Sequence, residues 1–240
     1  MISHKHKFIF IHIPKCGGTS IEHSLLKNEN VTKITDDVKQ KYRIYYTHGG
    51  VDVQHRKIDQ FKDAREKNYF TFTFVRNPWE RFLSEYFYIK KFKGCGCDDF
   101  DKKFPTFKHF VKNNGIKCCW YAHDYPQIDF VFNANQNKLT NFVGRCEDMQ
   151  YDFDYVCGKI GIPKIELPHR NPTKHKHYSE YYDDETRSIV AEKYAKDIEY
   201  FGYKFGKWKM ISHKHKFIFI HINKCGGTTI DELFTGKFQG

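Results

Sequence analysis

The sequence predicts an α/β fold, with a mainly parallel central sheet flanked by helices in three layers. Apolar runs of strand length alternate with helical segments along most of the chain, and such alternation brings consecutive strands side by side in parallel. Two of these runs, ending near His12 and at Val75, turn directly into a helix. At 240 residues and 40% hydrophobic content, the chain is long enough to bury a sizeable core.

Taken in order, strands are expected at 6–12, 43–47, 69–75 and 127–132, with a short one at 139–143. Helices are expected at 19–27, 55–66, 77–91, 105–113, 147–160 and 179–198. The stretch from Gly94 to Asp101 breaks the helix that begins at Asn77, because glycine, cysteine and aspartate crowd into it. The following region, 102–126, reads as an insertion placed to line an acceptor cleft.

The first strand-to-helix turn carries the chemistry. His12-Ile13-Pro14-Lys15-Cys16-Gly17-Gly18-Thr19-Ser20 follows the apolar run Phe8-Ile9-Phe10-Ile11 and opens a helix. Two adjacent glycines let backbone N–H groups approach an anion, and the helix N-terminus adds partial positive charge. Lys15 and the Thr19 and Ser20 hydroxyls complete the cradle, although both hydroxyls equally suit a helix cap. The unit is P-loop-like, yet its lysine precedes both glycines, whereas a Walker loop places it after the last one.

The second turn has a comparable build. Tyr69-Phe70-Thr71-Phe72-Thr73-Phe74-Val75 reads as a buried strand, and Arg76-Asn77-Pro78-Trp79-Glu80-Arg81-Phe82-Leu83-Ser84-Glu85-Tyr86 turns from it into a helix. Pro78 suits the first helical turn, where no donor is lost. Ser84 follows Arg76 by eight residues, which sets its hydroxyl about two turns along, at roughly 1.5 Å of rise per residue.

Together the two motifs resemble those of sulfotransferases that use 3′-phosphoadenosine-5′-phosphosulfate (PAPS). The lysine-first loop is similar to their 5′-phosphosulfate loop, and R-N-P-x-x-R-x-x-S-x-Y to their 3′-phosphate motif. A third block, Leu167-Pro168-His169-Arg170-Asn171-Pro172-Thr173-Lys174-His175-Lys176-His177-Tyr178 with the closing run Ala195 to Tyr203, resembles the C-terminal block of the carbohydrate-type, heparan-sulfate-2-O-like branch. The resemblance spans about residues 6–205.

The resemblance implies that Lys15, Cys16, Gly17, Gly18, Thr19 and Ser20 hold the 5′ end of PAPS, and that Arg76 and Ser84 hold its 3′-phosphate. Lys15 would also stabilise charge on the departing oxygen. Arg170, with His169 and Lys176 beside it, is a candidate nucleotide or acceptor contact, or simply part of a solvated basic loop. For the general base the resemblance points to His48, in Tyr45-Tyr46-Thr47-His48-Gly49-Gly50; relatives carry a second histidine where this chain has Gly50. His12, Glu22 or a purely structural histidine are the alternatives.

The implied function is sulfuryl transfer from PAPS to a hydroxyl-bearing acceptor, a carbohydrate, with no metal required. Two other readings stay open. One is a P-loop-like kinase, disfavoured by the loop order and by the lack of an evident magnesium-binding aspartate on a strand. The other is a catalytically inactive polyanion-binding protein, since 40 Lys and Arg against 29 Asp and Glu leave a net charge of +11. That charge is shared with nucleic-acid binders, but no nucleic-acid partner is expected. No run of about 20 apolar residues and no signal-peptide pattern occur, so a cytoplasmic protein without a membrane span is expected. The eight cysteines fit no usual zinc spacing and read as free or structural thiols.

An internal repeat completes the picture. Residues 1–13 recur identically at 210–222, and Lys15–Thr19 recur at Lys224–Thr228. Over positions 1–25 and 210–234, 19 of 25 residues are identical. The expected division is a sulfotransferase domain at 1–209, followed at 210–240 by a truncated repeat of the first strand and phosphate loop that lacks the 3′-phosphate motif.

Overall fold

The computed structural model describes residues 1–31, 35–42, 47–48, 51–52, 55–57, 61, 68–91, 99–115, 123–133, 135–168, 176–206, 210–212 and 217–219. In chain order the elements are β1 (Ile2–Ser3), β2 (Phe8–Ile11), α1 (Gly18–Asn28), α2 (Asp36–Tyr42), β3 (Thr47–His48), β4 (Val51–Asp52), β5 (Phe70–Val75), α3 (Pro78–Lys91), α4 (Phe100–Lys103), α5 (Phe107–Lys112), α6 (Ile128–Val131), β6 (Phe142–Arg145), α7 (Met149–Lys159), α8 (Asp184–Lys193), α9 (Ala195–Phe201), β7 (Met210–Ser212) and β8 (Phe217–Phe219). Short 3₁₀ turns occupy Cys146–Asp148 and Tyr178–Tyr181. The chain divides into two compact units, Met1–Tyr203 and Lys204–Gly240.

The first unit is built on a four-stranded sheet in the order β1-β2-β5-β6. β2, β5 and β6 run parallel, with Phe8 opposite Phe70 and Phe72 opposite Phe142, while β1 adds an antiparallel edge. Every residue of β2 is buried, as suits an interior parallel strand covered on both faces. Its side chains alternate. Phe8 and Phe10 join Phe72, Phe74, Ile21, Leu25 and Phe153 on the face covered by α1 and α7. Ile9 and Ile11 join Val75, Phe130, Val131 and Phe201 on the face covered by α6 and α9. Helices therefore flank both faces of the sheet.

Beside α3, Phe82, Tyr86, Phe100, Phe104 and Phe110 form a separate aromatic cluster with ring centroids 5.2–6.1 Å apart. It anchors the described start of the 102–126 insertion onto α3 through edge-on and tilted ring contacts.

Several expected elements come out differently. The run 127–132, expected as a strand, forms the short helix α6, because the Gln127 and Ile128 N–H groups are capped by the carboxylate of Asp197 at 2.8 and 2.9 Å. An apolar run of that length does not by itself distinguish strand from helix. The strand expected at 139–143 lies at Phe142–Arg145, after Asn141 has locked onto the Thr71 backbone in both directions at 2.7 Å. The single helix expected at 179–198 is divided, because Asp183 forms a capping box with Thr186 and starts α8 afresh. Helix α2 was not expected, and α4 begins at Phe100 where a loop was. Of the strand expected at 43–47 only Thr47 is described, and it pairs with Asp52 in the β3–β4 hairpin, apart from the main sheet. The helix expected at 55–66 lies mostly outside the described residues.

Candidate active site

The loop between β2 and α1 is wound by two left-handed residues, Lys15 at φ 64° and Gly17 at φ 72°. For a lysine that conformation costs about 1–2 kcal/mol, so neighbours must hold it. They do so through its carbonyls and thiol. The Arg76 guanidinium donates to the Lys15 carbonyl at 3.3 Å, Arg81 Nε donates to the Pro14 carbonyl at 3.1 Å, and the Cys16 thiol donates to Gln127 Oε1 at 3.2 Å. Gly17 then caps α1, accepting the Ser20 N–H at 3.0 Å. Gly18 packs directly against His12, and any Cβ there would overlap the imidazole ring. His12 is itself buried against Glu22, with Nδ1 3.1 Å from the carboxylate.

The second turn is pinned to the same brace. Gln127 is fully buried; its Oε1 accepts the Arg76 N–H and its Nε2 donates to the Arg76 carbonyl, both at 2.8 Å. The next residue, Asn77, has its N–H on Glu147 at 2.8 Å and accepts the Trp79 N–H at 3.1 Å, which opens α3. Arg76 also pairs with Glu80 at 2.8 Å. Burial works against the Arg76 charge, but the Glu80 carboxylate outweighs it and holds the guanidinium more firmly protonated than usual. Ser84 is buried two turns along the same helix.

The Lys15 ammonium lies 3.6 Å from the centre of the Tyr88 ring. It lines a cavity with Arg81, Glu85, His123 and Tyr194. Burial lowers the Lys15 pKa to about 8; Glu85 opposes that shift, and Arg76 and Arg81 add to it. Arg81 is buried, with Nη2 held by the carbonyls of His123 and Tyr125 at 3.0 and 3.1 Å, while Nη1 has no partner among the described residues. Two cations, Lys15 and Arg81, and an unspent N–H therefore line one cavity together with the Glu85 and Asp124 carboxylates, while the N-terminus of α1 and Arg76 adjoin the loop that carries Lys15. Those cations and N–H groups can hold an anion.

The structure thus brings together Lys15, Cys16, Gly17, Gly18, Thr19, Ser20 and Arg76, and sets Ser84 on the helix that follows. His48 stands in β3, whose backbone pairs with Val51; Arg170 lies outside the described residues, as do Cys95, Cys97, Cys118, Cys119 and Cys225. Sequence reasoning missed Gln127, Asp197, Glu85 and His123. Nothing local marks them: Glu85 looks like one more helical carboxylate, and His123 and Gln127 fall in or beside the insertion. Among the described cysteines, Cys16, Cys146 and Cys157 are free thiols.

The loop at the N-terminus of α1 is joined to an arginine-bearing turn from the neighbouring parallel strand. The sulfotransferase family model matches residues 1–204, and the chain belongs to that family. Human carbohydrate sulfotransferase 9 is 24% identical over 227 residues, covering 82% of this chain and 47% of its own length. An uncharacterised protein of Archaeoglobus fulgidus is 35% identical over 97 residues, 40% of this chain and 71% of that protein. The chain thus spans about half the length of the human relative. Among solved structures, a sulfotransferase from Alicyclobacillus acidocaldarius aligns over 83% of this chain and 96% of its own, at 14% identity and a TM-score of 0.41. No helix among the described residues is long and apolar enough to cross a membrane.

Proposed function

We propose that this protein transfers a sulfuryl group from PAPS to a hydroxyl, that of a carbohydrate. The observation that carries this reading is the meeting of the two turns, where Arg76 donates to the carbonyl of the left-handed Lys15 and Gln127 ties both loops together. Family membership and the carbohydrate sulfotransferase relative support the same reading. The loop is P-loop-like in its strand, left-handed turn and helix, with its lysine moved ahead of the glycines.

The Nη1 of buried Arg81, which has no hydrogen-bond partner among the described residues, and the Lys15 ammonium at the same cavity support an anionic ligand. In this reading the backbone N–H groups of Cys16 to Ser20, with the Thr19 and Ser20 hydroxyls, bind the 5′ end, and Arg76 and Ser84 bind the 3′-phosphate, with Arg170 a further contact. The bound donor supplies an activated sulfuryl group on a phosphate leaving group. Lys15 stabilises the negative charge that develops as that group departs. A base must take the acceptor proton; the resemblance points to His48, with His12 and Glu22 as the alternatives left open by the sequence.

The test is ligand-dependent thermal stabilisation. The desulfonated product, 3′-phosphoadenosine-5′-phosphate, should raise the melting temperature in a concentration-dependent way, by about 2.7 kcal/mol of stability at 100 times its dissociation constant. ATP should give little. A shift with ATP alone would favour a kinase, and no shift with either would favour a polyanion binder.

A further inference from the structure

A second histidine, outside both nucleotide motifs, stands at the same cavity as Lys15. His123 presents Nδ1 to both carboxylate oxygens of Glu85 at 2.9 Å, and both side chains are largely buried. His123 and Lys15 line one cavity. On its other side the His123 ring meets the edge of His55 at a centroid distance of 5.0 Å, and His55 in turn meets His12 at 4.8 Å. His12 is paired with Glu22 at 3.1 Å, so a row of three imidazoles is bounded at each end by a buried carboxylate.

Resting on the transferase reading above, we propose that His123, positioned by Glu85, is the general base that takes the acceptor's hydroxyl proton. A carboxylate bonded to Nδ1 requires the proton on that nitrogen and leaves the lone pair on Nε2, the tautomer that a base needs. The acceptor oxygen forms the new bond to sulfur as the bond from sulfur to the bridging phosphate oxygen breaks. The hydroxyl proton passes to His123 Nε2, and the electron pair leaves on the bridging oxygen, whose charge Lys15 neutralises. Glu85 is the positioning residue. It faces Lys15 as well as His123, and although burial pushes its carboxyl up, His123, Lys15 and Arg81 together hold it below the usual range. Among the described residues, His55 and Tyr88 also face His123, Arg81 is bonded to its carbonyl, and Asp124 next in the chain is paired to Lys193.

Slow hydrolysis of PAPS needs the same proton removal and no identified acceptor, so release of the bisphosphate is a suitable readout. His123→Gln should lower that turnover about 100-fold or more, with bisphosphate affinity changed less than threefold. Glu85→Gln should lower it about tenfold. Nitrogen-15 NMR of the wild-type protein, with His123 assigned through its Tyr88 and His55 contacts, should show the Nδ1–H tautomer, and Glu85→Gln should mix the two tautomers. An Nε2–H tautomer in the wild type, or turnover that survives His123→Gln and is lost in His48→Asn, overturns the proposal. Failure of the wild-type protein to bind the bisphosphate overturns instead the transferase reading beneath it.

Discussion

The same thirteen residues occur twice in this chain, and where both copies are described their strands pair the same way, in two different settings. In the first copy Ile2 pairs with Ile9 and Ser3 with Phe8; in the second, Ile211 pairs with Ile218 and Ser212 with Phe217. The registers are identical after an offset of 209. The first hairpin, however, also lays β2 along β5 over four residue pairs, and Phe8, Ile9, Phe10 and Ile11 are all buried. Among the described residues, the second hairpin forms its own two-stranded sheet. Hairpin register is therefore a local property of this sequence, while membership of the parallel sheet is a property of what the hairpin lies against.

Lys15→Ala and Lys224→Ala provide the widest test of that difference. The first should cut turnover about 100-fold or more, as expected for loss of a group that stabilises transition-state charge, and the second should leave it within twofold. Loss of activity from Lys224→Ala alone would mean that the second copy occupies the slot beside β5. A smaller but more selective effect is expected from the turn that follows β5, which the first copy contacts through Lys15. Arg76→Ala and Ser84→Ala should each weaken the adenosine bisphosphate by about 1.5–3 kcal/mol, because the lost bonds are charge-assisted. The same nucleotide lacking its 3′-phosphate should be hardly affected, and equal weakening of both ligands in calorimetry would reduce Arg76 to a brace for the loop.

Titration separates the copies further. Lys15 loses its proton near pH 8, since burial disfavours its charged form, so it is cationic below that value and neutral above it. Bisphosphate affinity should hence stay level up to about pH 8 and then fall as the pH rises. Lys15→Met should flatten this dependence, whereas Lys224→Met should preserve it. The smallest effect concerns the whole tail. Deleting Lys204–Gly240 should leave the melting temperature within about 2 °C and bisphosphate binding intact, because the family match ends at residue 204 and the first unit ends at Tyr203. Hydrogen exchange would sharpen the point: an isolated two-stranded hairpin is marginal in water, so Phe217–Phe219 should exchange quickly while Phe8–Ile11 stay protected.

The strand-to-helix units at Phe8–Asn28 and Phe70–Lys91 were legible because each rests on local signals: a continuous apolar run, then glycines or a proline where the helix starts. Residues 127–132 were misread for the converse reason. Their apolar pattern suits either element, and the choice was made by Asp197, about seventy residues away, which caps two N–H groups of α6. The Asp183 capping box that interrupts the expected 179–198 helix is local and could have been read, since Asp183 stands three residues ahead of Thr186.

By itself the sequence determined the pairing register that both copies of the hairpin share, the Gly17 start of α1, and the arginine turn with Ser84 two helical turns beyond it. Each of these depends on backbone sterics and on hydrogen bonds between near neighbours. Only the tertiary structure decided which copy of the hairpin enters the parallel sheet, that Gln127 and Asp197 brace both loops, and that Glu85 and His123 meet beside Lys15. Those contacts join residues 38 to 111 positions apart. Buried polar groups must find partners wherever the packed chain provides them, and no periodicity or spacing along the sequence encodes a pairing imposed by burial.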